Sequence, residues 1–217
     1  MFATLQYTSW EELPVDYQAF FIELMDNQPQ RGRVLFALYY YWFNIAHECG
    51  HILRKAYGTR AESRWVEEQA ATEFAVAYWR AFGEEGRLAQ LADCVEDGKR
   101  LLPNPILPDE EPAAYYDTHY TELTQTPHEH SYLQFAWVLD GLAKKQDLTA
   151  ALRHLVTEQA HAGPPMTPRF YLDIDVHLPL TIIPDLRQVL AGHDVILPPV
   201  EIVQSFSPAI QFVGFGS

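Results

Sequence analysis

His47-Glu48-Cys49-Gly50-His51 is an H-E-x-x-H run set in a stretch of helix-forming residues. Residues four apart on an α-helix lie one turn apart on the same face, so both imidazoles can reach one metal ion with Glu48 standing beside it. The chemistry this pattern supports is zinc-dependent hydrolysis. Two histidines and a third protein ligand hold Zn2+ with one position open for water. The glutamate accepts that water's proton as general base, while the ion polarises the scissile carbonyl. The competing structural reading is a buried helix whose two histidines merely satisfy polar neighbours.

The elements around the motif must position it. Val34 to Ala46 (VLFALYYYWFNIA) is a continuous apolar and aromatic run, read as a core helix in which Tyr39-Tyr40-Tyr41-Trp42 serve packing. Gly50 in a helix interior costs about 1 kcal/mol relative to Ala, and close approach of another backbone is a reason to keep it. A second helix, Arg64 to Phe82, follows the turn-like Tyr57-Gly58-Thr59 and carries Glu67, Glu68 and Glu73 on an Ala-rich, apolar surface. An acid there is costly to bury unless paired or bound to a metal. Glu68 shares a stripe with Trp65, Ala71, Thr72 and Ala75, and Glu67 shares one with Ala70, Ala71 and Phe74, so helical geometry alone leaves both open as third ligand. Glu73 reads as part of a solvated face.

The run Ala46-His47-Glu48-Cys49-Gly50-His51, followed by Glu68-x-x-Ala71-Thr72-x-Phe74-Ala75, resembles the gluzincin metallopeptidases, most closely the ImmA/IrrE type. Those proteins pair an A-H-E-x-G-H helix with a downstream E-x-x-A-N-x-F-A helix. The resemblance covers about 30 residues of the 217 and implies His47, His51 and Glu68 as zinc ligands with Glu48 as catalytic base. Thr72 stands where that family carries Asn or Asp. The sheet that precedes the metal helix in the family has only Met1 to Ser9 to draw on.

Composition frames these expectations. A chain of 217 residues with 48% hydrophobic and 13% aromatic content is globular, with room for one sizeable core. Two cysteines, Cys49 and Cys94, make no disulfide framework, and no basic and apolar leader opens the chain, so a cytoplasmic location is expected. The apolar run before His47 is too short to span a bilayer. With 15 basic and 29 acidic residues the formal charge is −14, which argues against nucleic-acid or anionic-membrane partners. A peptide, a protein or a small amide is the expected substrate.

Along the chain, a helix capped by Ser9 is expected to about Asn27, the metal helix over Arg33 to Tyr57, and a further helix over Arg87 to Leu102. Pro103 to Pro112, with four prolines, reads as an irregular connection. Helices resume at Ser131 to Lys145 and Leu148 to Ala162. From Phe170 onward short apolar runs, Tyr171 to Leu180, Val195 to Leu197 and Val200 to Val203, read as strands or extended arms. The expected fold is therefore mainly α with an α+β character: a zincin-like helical domain over 1–165 and a C-terminal extended or β-rich segment over 166–217 packed on the same core.

Other residues offer chemistry. His128-Glu129-His130 in a loop is either a second metal site or a pair of surface histidines, and Tyr115 to Tyr120 holds phenols and an imidazole able to stabilise an oxyanion. Glu48-x-x-His51 also reads as an E-x-x-H motif, with Glu158-x-x-His161 as its counterpart. Together with Glu23 and Glu67 or Glu68 they would make a di-iron carboxylate oxidase or oxygenase. In a third reading the gluzincin-type fold is an interaction module with a structural metal, although nothing structural requires the acid at Glu48.

Overall fold

The computed structural model describes residues 10–56, 63–157, 169–172, 187–192 and 201–204. It is mainly helical, in the order α1 (Val15–Glu23), α2 (Pro29–Phe36), a π-helical segment (Ala37–Phe43), α3 (Asn44–Ala56), α4 (Arg64–Ala81), α5 (Glu85–Leu101), α6 (Pro112–Leu123), α7 (Pro127–Lys144), α8 (Leu148–Thr157), β1 (Arg169–Leu172) and β2 (Glu201–Gln204). The two strands pair in parallel, Arg169 opposite Glu201 through Leu172 opposite Gln204. Among the described residues no helix is long and apolar enough to cross a membrane. Cys49 and Cys94 are buried free thiols.

Helix α4 is the axis of the bundle. Every residue from Ala70 to Trp79 is buried, and α3, α5, α6, α7 and α8 all pack against it. A helix with apolar residues on several faces is stable when enclosed in this way, its few buried polar groups finding partners. Its N-terminus is satisfied twice: Ser63 Oγ accepts from the Val66 N–H at 3.1 Å, and Asp117 Oδ1 of α6 accepts from the N–H groups of Arg64 and Trp65 at 2.9 and 3.3 Å. Four otherwise orphaned donors open every helix, so this anchoring fixes both the start and the direction of α4.

Aromatic side chains lock the surrounding helices to it. Trp42 of the π-helical segment stacks on Trp79 at 4.5 Å between ring centroids, and Tyr39 meets Phe135 of α7 edge to face at 5.2 Å. A second apolar cluster, Tyr116, Leu123, Leu133 and Trp137, lies where α6 and α7 meet, with Trp65 packed against it. Leu190, in the short helix at 187–191, is buried in the main core.

Helices α3 and α4 approach closely at Gly50. A Cβ on Gly50 would lie 3.0 Å from Ala71 Cα, 3.2 Å from Ala71 Cβ and 3.3 Å from Phe74 Cδ1. Gly50 thus gives up helix propensity so that α4 can come into near-backbone contact.

Several elements differ from the sequence-based expectation. The first helix begins at Val15 after Pro14. The expected single metal helix is continuous from Pro29 to Ala56 but widens to π geometry over Ala37–Phe43. Helix α6 was not expected: its signals, Glu111 as N-cap accepting from Ala114 N at 2.7 Å and Pro112 in the first turn, lay at the end of the proline-rich stretch. Helix α7 starts at Pro127, so His128, Glu129 and His130 lie on its first turn and not in a loop. Glu73 is buried between α7 and α8, ion-paired with Lys144 and 3.2 Å from His154 Nδ1, and is no solvated face. The expected strand at Met1 to Ser9, the turn at Tyr57 to Thr59, the end of the last expected helix to Ala162, the remainder of Tyr171 to Leu180, and Val195 to Leu197 lie outside the described residues.

Replacing Gly50 with Val forces α3 and α4 apart, because the atoms it would meet include backbone. The expected result is a destabilisation of about 1–3 kcal/mol, the usual cost of overpacking, measured by urea denaturation.

Candidate metal centre

Helix α3 presents His47 and His51 one turn apart, with ring centroids 4.7 Å from each other and planes at 81°. Helix α4, held close at Gly50, presents Glu67, Glu68 and Thr72 to the same region. His47 Nε2 lies 3.1 Å from His51 Nε2, Glu68 Oε2 lies 3.2 Å from His47 Nε2, and it lies 3.6 Å from His51 Nε2. These three atoms form the one group of His, Cys, Asp or Glu ligand atoms able to share a metal ion among the described residues. The side chains of both histidines are 11% exposed and that of Glu68 is 21% exposed, so the triangle is shielded but reachable.

The other ring nitrogens are held from outside. His51 Nδ1 lies 3.1 Å from Glu67 Oε1, and His47 Nδ1 lies 3.2 Å from Thr72 Oγ1. A carboxylate can only accept, so His51 Nδ1 carries the proton toward Glu67. With Nδ1–H also donated from His47 to the Thr72 hydroxyl, both Nε2 lone pairs and a carboxylate oxygen converge on one point. Three acceptors at this separation repel unless a cation lies between them. A tetrahedral Zn2+ with bonds of about 2.0–2.1 Å spaces its ligand atoms by roughly 3.3–3.4 Å, and the observed edges of 3.1, 3.2 and 3.6 Å bracket that value. The donor set and its outer partners therefore fit zinc. Glu67 and Thr72 occupy the positions from which outer partners fix histidine tautomers in metal sites.

Electrostatics give the same account. Burial disfavours a charged His51 ring, but the Glu68 carboxylate, the hydrogen bonds to Glu67 and Glu68, and the Glu48 charge outweigh it and raise His51 from 6.5 to about 10. Burial alone would push Glu68 upward, yet His51 and the hydrogen bonds from both histidines hold it well below the usual carboxylate range. Without a metal, a proton supplies the missing positive charge. Glu48 is half-buried, and its charge acts on His51, Tyr39 and Tyr120.

The remaining candidates separate. Tyr116 and Tyr120 of α6 lie near the centre: burial, then the Glu68 charge, raises both phenols, which keeps them as protonated donors. Tyr115 and His119 stack on each other at 4.3 Å. His128 is exposed, 3.8 Å from Glu23 and edge-on to Phe20, whereas His130 is buried near Tyr116, so the two rings face different surroundings and do not form a second site. Glu23, which the di-iron arrangement needs beside His51, is 64% exposed at that distant contact. Glu158 and His161 lie outside the described residues. Sequence reasoning missed Thr72 as a partner of His47 and Asp117 as the anchor of α4; the first was visible only as a departure from the family pattern, and the second carried no local signal.

No family model, curated protein or solved structure matches the chain.

Three outcomes are expected. Because His51 holds a proton below about pH 10, metal must displace it, so zinc affinity rises about tenfold per pH unit between pH 7 and 9, measured by competition with a chromogenic chelator. In the metal-free fold the same shift stabilises fully below the ordinary imidazole value of 6.5, and that contribution is lost as pH rises through about 10. Thr72→Val, which removes the partner of His47 Nδ1, weakens zinc binding about 10–100-fold with little change in helix content by circular dichroism.

Proposed function

We propose that the protein is a zinc-dependent hydrolase, a metallopeptidase or amidase acting on a peptide, protein or small amide. The observation that supports this most directly is the convergence of His47 Nε2, His51 Nε2 and Glu68 Oε2 within 3.6 Å, with Glu48 beside them on the same helix turn. His47, His51 and Glu68 would hold the ion. Glu67 and Thr72 would fix the two rings in the tautomer that leaves Nε2 free to bind. A bound Zn2+ supplies Lewis acidity toward a carbonyl oxygen and makes a water acidic near neutral pH.

Glu48 is the general base of this reading. Its carboxylate accepts a proton from the attacking water as the new C–O bond forms, and returns it to the nitrogen as the C–N bond breaks. The products are a carboxylate and an amine, and no oxidant or further reactant is needed. The likeness to the ImmA/IrrE metallopeptidases supports peptide-bond hydrolysis, and the zincin-like arrangement of α3 and α4 is part of the same proposal. The division at residue 165 belongs to it as well, with Leu190 buried in the main core in support of a C-terminal segment folded onto the helices. A cytoplasmic location fits the two free thiols.

Elemental analysis and activity test the proposal together. The purified protein is expected to carry about one equivalent of zinc, and Glu48→Gln to keep it while losing about 10²–10⁴-fold in hydrolysis of a fluorogenic peptide mixture. Glu68→Ala loses the zinc, while Glu67→Ala retains it at reduced affinity. Iron near two equivalents, or full activity in Glu48→Gln, would overturn the reading.

A further inference from the structure

Arg64 lacks the partner its position on α4 would ordinarily give it. Arg64 opens α4, three residues before Glu67 and four before Glu68, the spacings at which helical ion pairs form. Both acids are turned away, Glu67 to His51 Nδ1 and Glu68 to the two Nε2 atoms. The guanidinium lies instead over the Tyr120 ring, 4.1 Å from its centroid, and makes no ion pair among the described residues. Arg31, Arg33, Arg87, Arg100 and Lys144 each sit on an acid, as expected in a chain with 29 acidic and 15 basic residues. Arg64 is exposed, and Tyr120 is half-buried beside it.

The arrangement is a held receptor. Stacking occupies one flat face of the guanidinium and leaves its in-plane N–H edge free, the edge that binds a carboxylate through two parallel hydrogen bonds. Stacking also limits the rotamer freedom that a lone surface arginine would lose on binding. The charges of Glu48 and Glu68 act on His51 and Glu67 lies 3.1 Å from it, so an anionic group of a ligand is repelled by these acids and attracted by Arg64. Residues four apart on a helix have Cβ atoms about 5–6 Å from each other, comparable with one or two residues of extended chain at about 3.3–3.6 Å each.

We propose that Arg64, positioned by Tyr120, binds the terminal carboxylate of the substrate, so that the site acts on peptides or N-acyl amino acids whose scissile bond lies one or two residues from a free C-terminus. This rests on the hydrolase reading above and narrows it to removal of C-terminal residues. Arg64 is a specificity residue here and takes no part in the bond changes.

The test uses the full-length, zinc-loaded Glu48→Gln protein, in which bound peptide is not consumed. A random tetrapeptide mixture, half free acids and half C-terminal amides, is equilibrated by dialysis and the retained species are counted by mass spectrometry. Free acids are expected to be retained about tenfold over amides. Adding Arg64→Gln removes that preference, and Arg64→Lys restores part of it as a point charge. No preference, no retention of either form, or a preference that survives Arg64→Gln would each overturn the proposal. Zinc content and circular dichroism of the Arg64 variants are expected to match the parent. The hydrolase reading fails separately, when the wild-type zinc protein hydrolyses neither peptide form, because the dialysis ratio does not depend on turnover.

Discussion

The near-backbone contact of Gly50 with Ala71 sets the geometry of everything around the candidate centre. Gly50 lies three residues after His47 and one before His51; Ala71 lies three after Glu68 and one before Thr72. Bringing these two positions together places the two imidazoles of α3 within reach of the carboxylates and hydroxyl of α4, and no longer approach would do so. Glutamate spans only a few ångströms beyond its Cα, and helices separated by ordinary side chains stand 8–10 Å apart. The small residues Ala70, Ala71 and Ala75 on α4 are the counterpart of the glycine on α3. Helix propensity is given up at one residue so that five polar side chains, His47, His51, Glu67, Glu68 and Thr72, can meet inside an apolar bundle.

That meeting carries an electrostatic condition. Two Nε2 lone pairs and a carboxylate oxygen within 3.6 Å are not a stable set of neutral hydrogen-bond partners. Either one ring takes a proton, as the raised His51 pKa describes, or a metal ion replaces it. The outer contacts suit either state: Glu67 and Thr72 hold each Nδ1, and a ring so held has its Nε2 directed at the shared point. A proton satisfies one pair of atoms at a time, while a divalent ion satisfies all three.

What the sequence revealed depended on the range of the interaction. The pairing of His47 with His51 is a property of one helix turn and was legible from spacing alone. Choosing Glu68 over Glu67 was not, because the two differ by about 100° around α4 and only the register of α4 against α3 decides which faces inward. Glu73 was misread for a related reason: its partners, Lys144 and His154, come from 71 and 81 residues away, and no local pattern announces them. Helix α6 was hidden differently. Its start signals sit inside a stretch where proline reads as a breaker, although proline in the first turn of a helix is favourable. The π geometry of Ala37–Phe43 spans six consecutive bulky residues, Leu38 to Phe43, whose partners such as Trp79 of α4 and Phe135 of α7 are tertiary information.

The unexpected helix is also the one that completes the surroundings of the centre. Asp117 anchors the first turn of α4, and the same face of α6 one residue earlier and three later carries Tyr116 and Tyr120. Burial and the Glu68 charge hold both phenols protonated, so they can only act as neutral donors or acceptors near neutral pH. At Tyr120 the charges of Glu68, Glu67 and Glu48 act one way and that of Arg64 the other. On the hydrolase reading this divides the work by charge. In that reading His47, His51 and Glu68 would hold the ion and Glu48 would move the proton, while Tyr120, half-buried beneath Arg64, stays a neutral donor. A carboxylate in place of Tyr120 would add a fourth negative charge to those of Glu48, Glu67 and Glu68 and would take away the ring on which Arg64 rests.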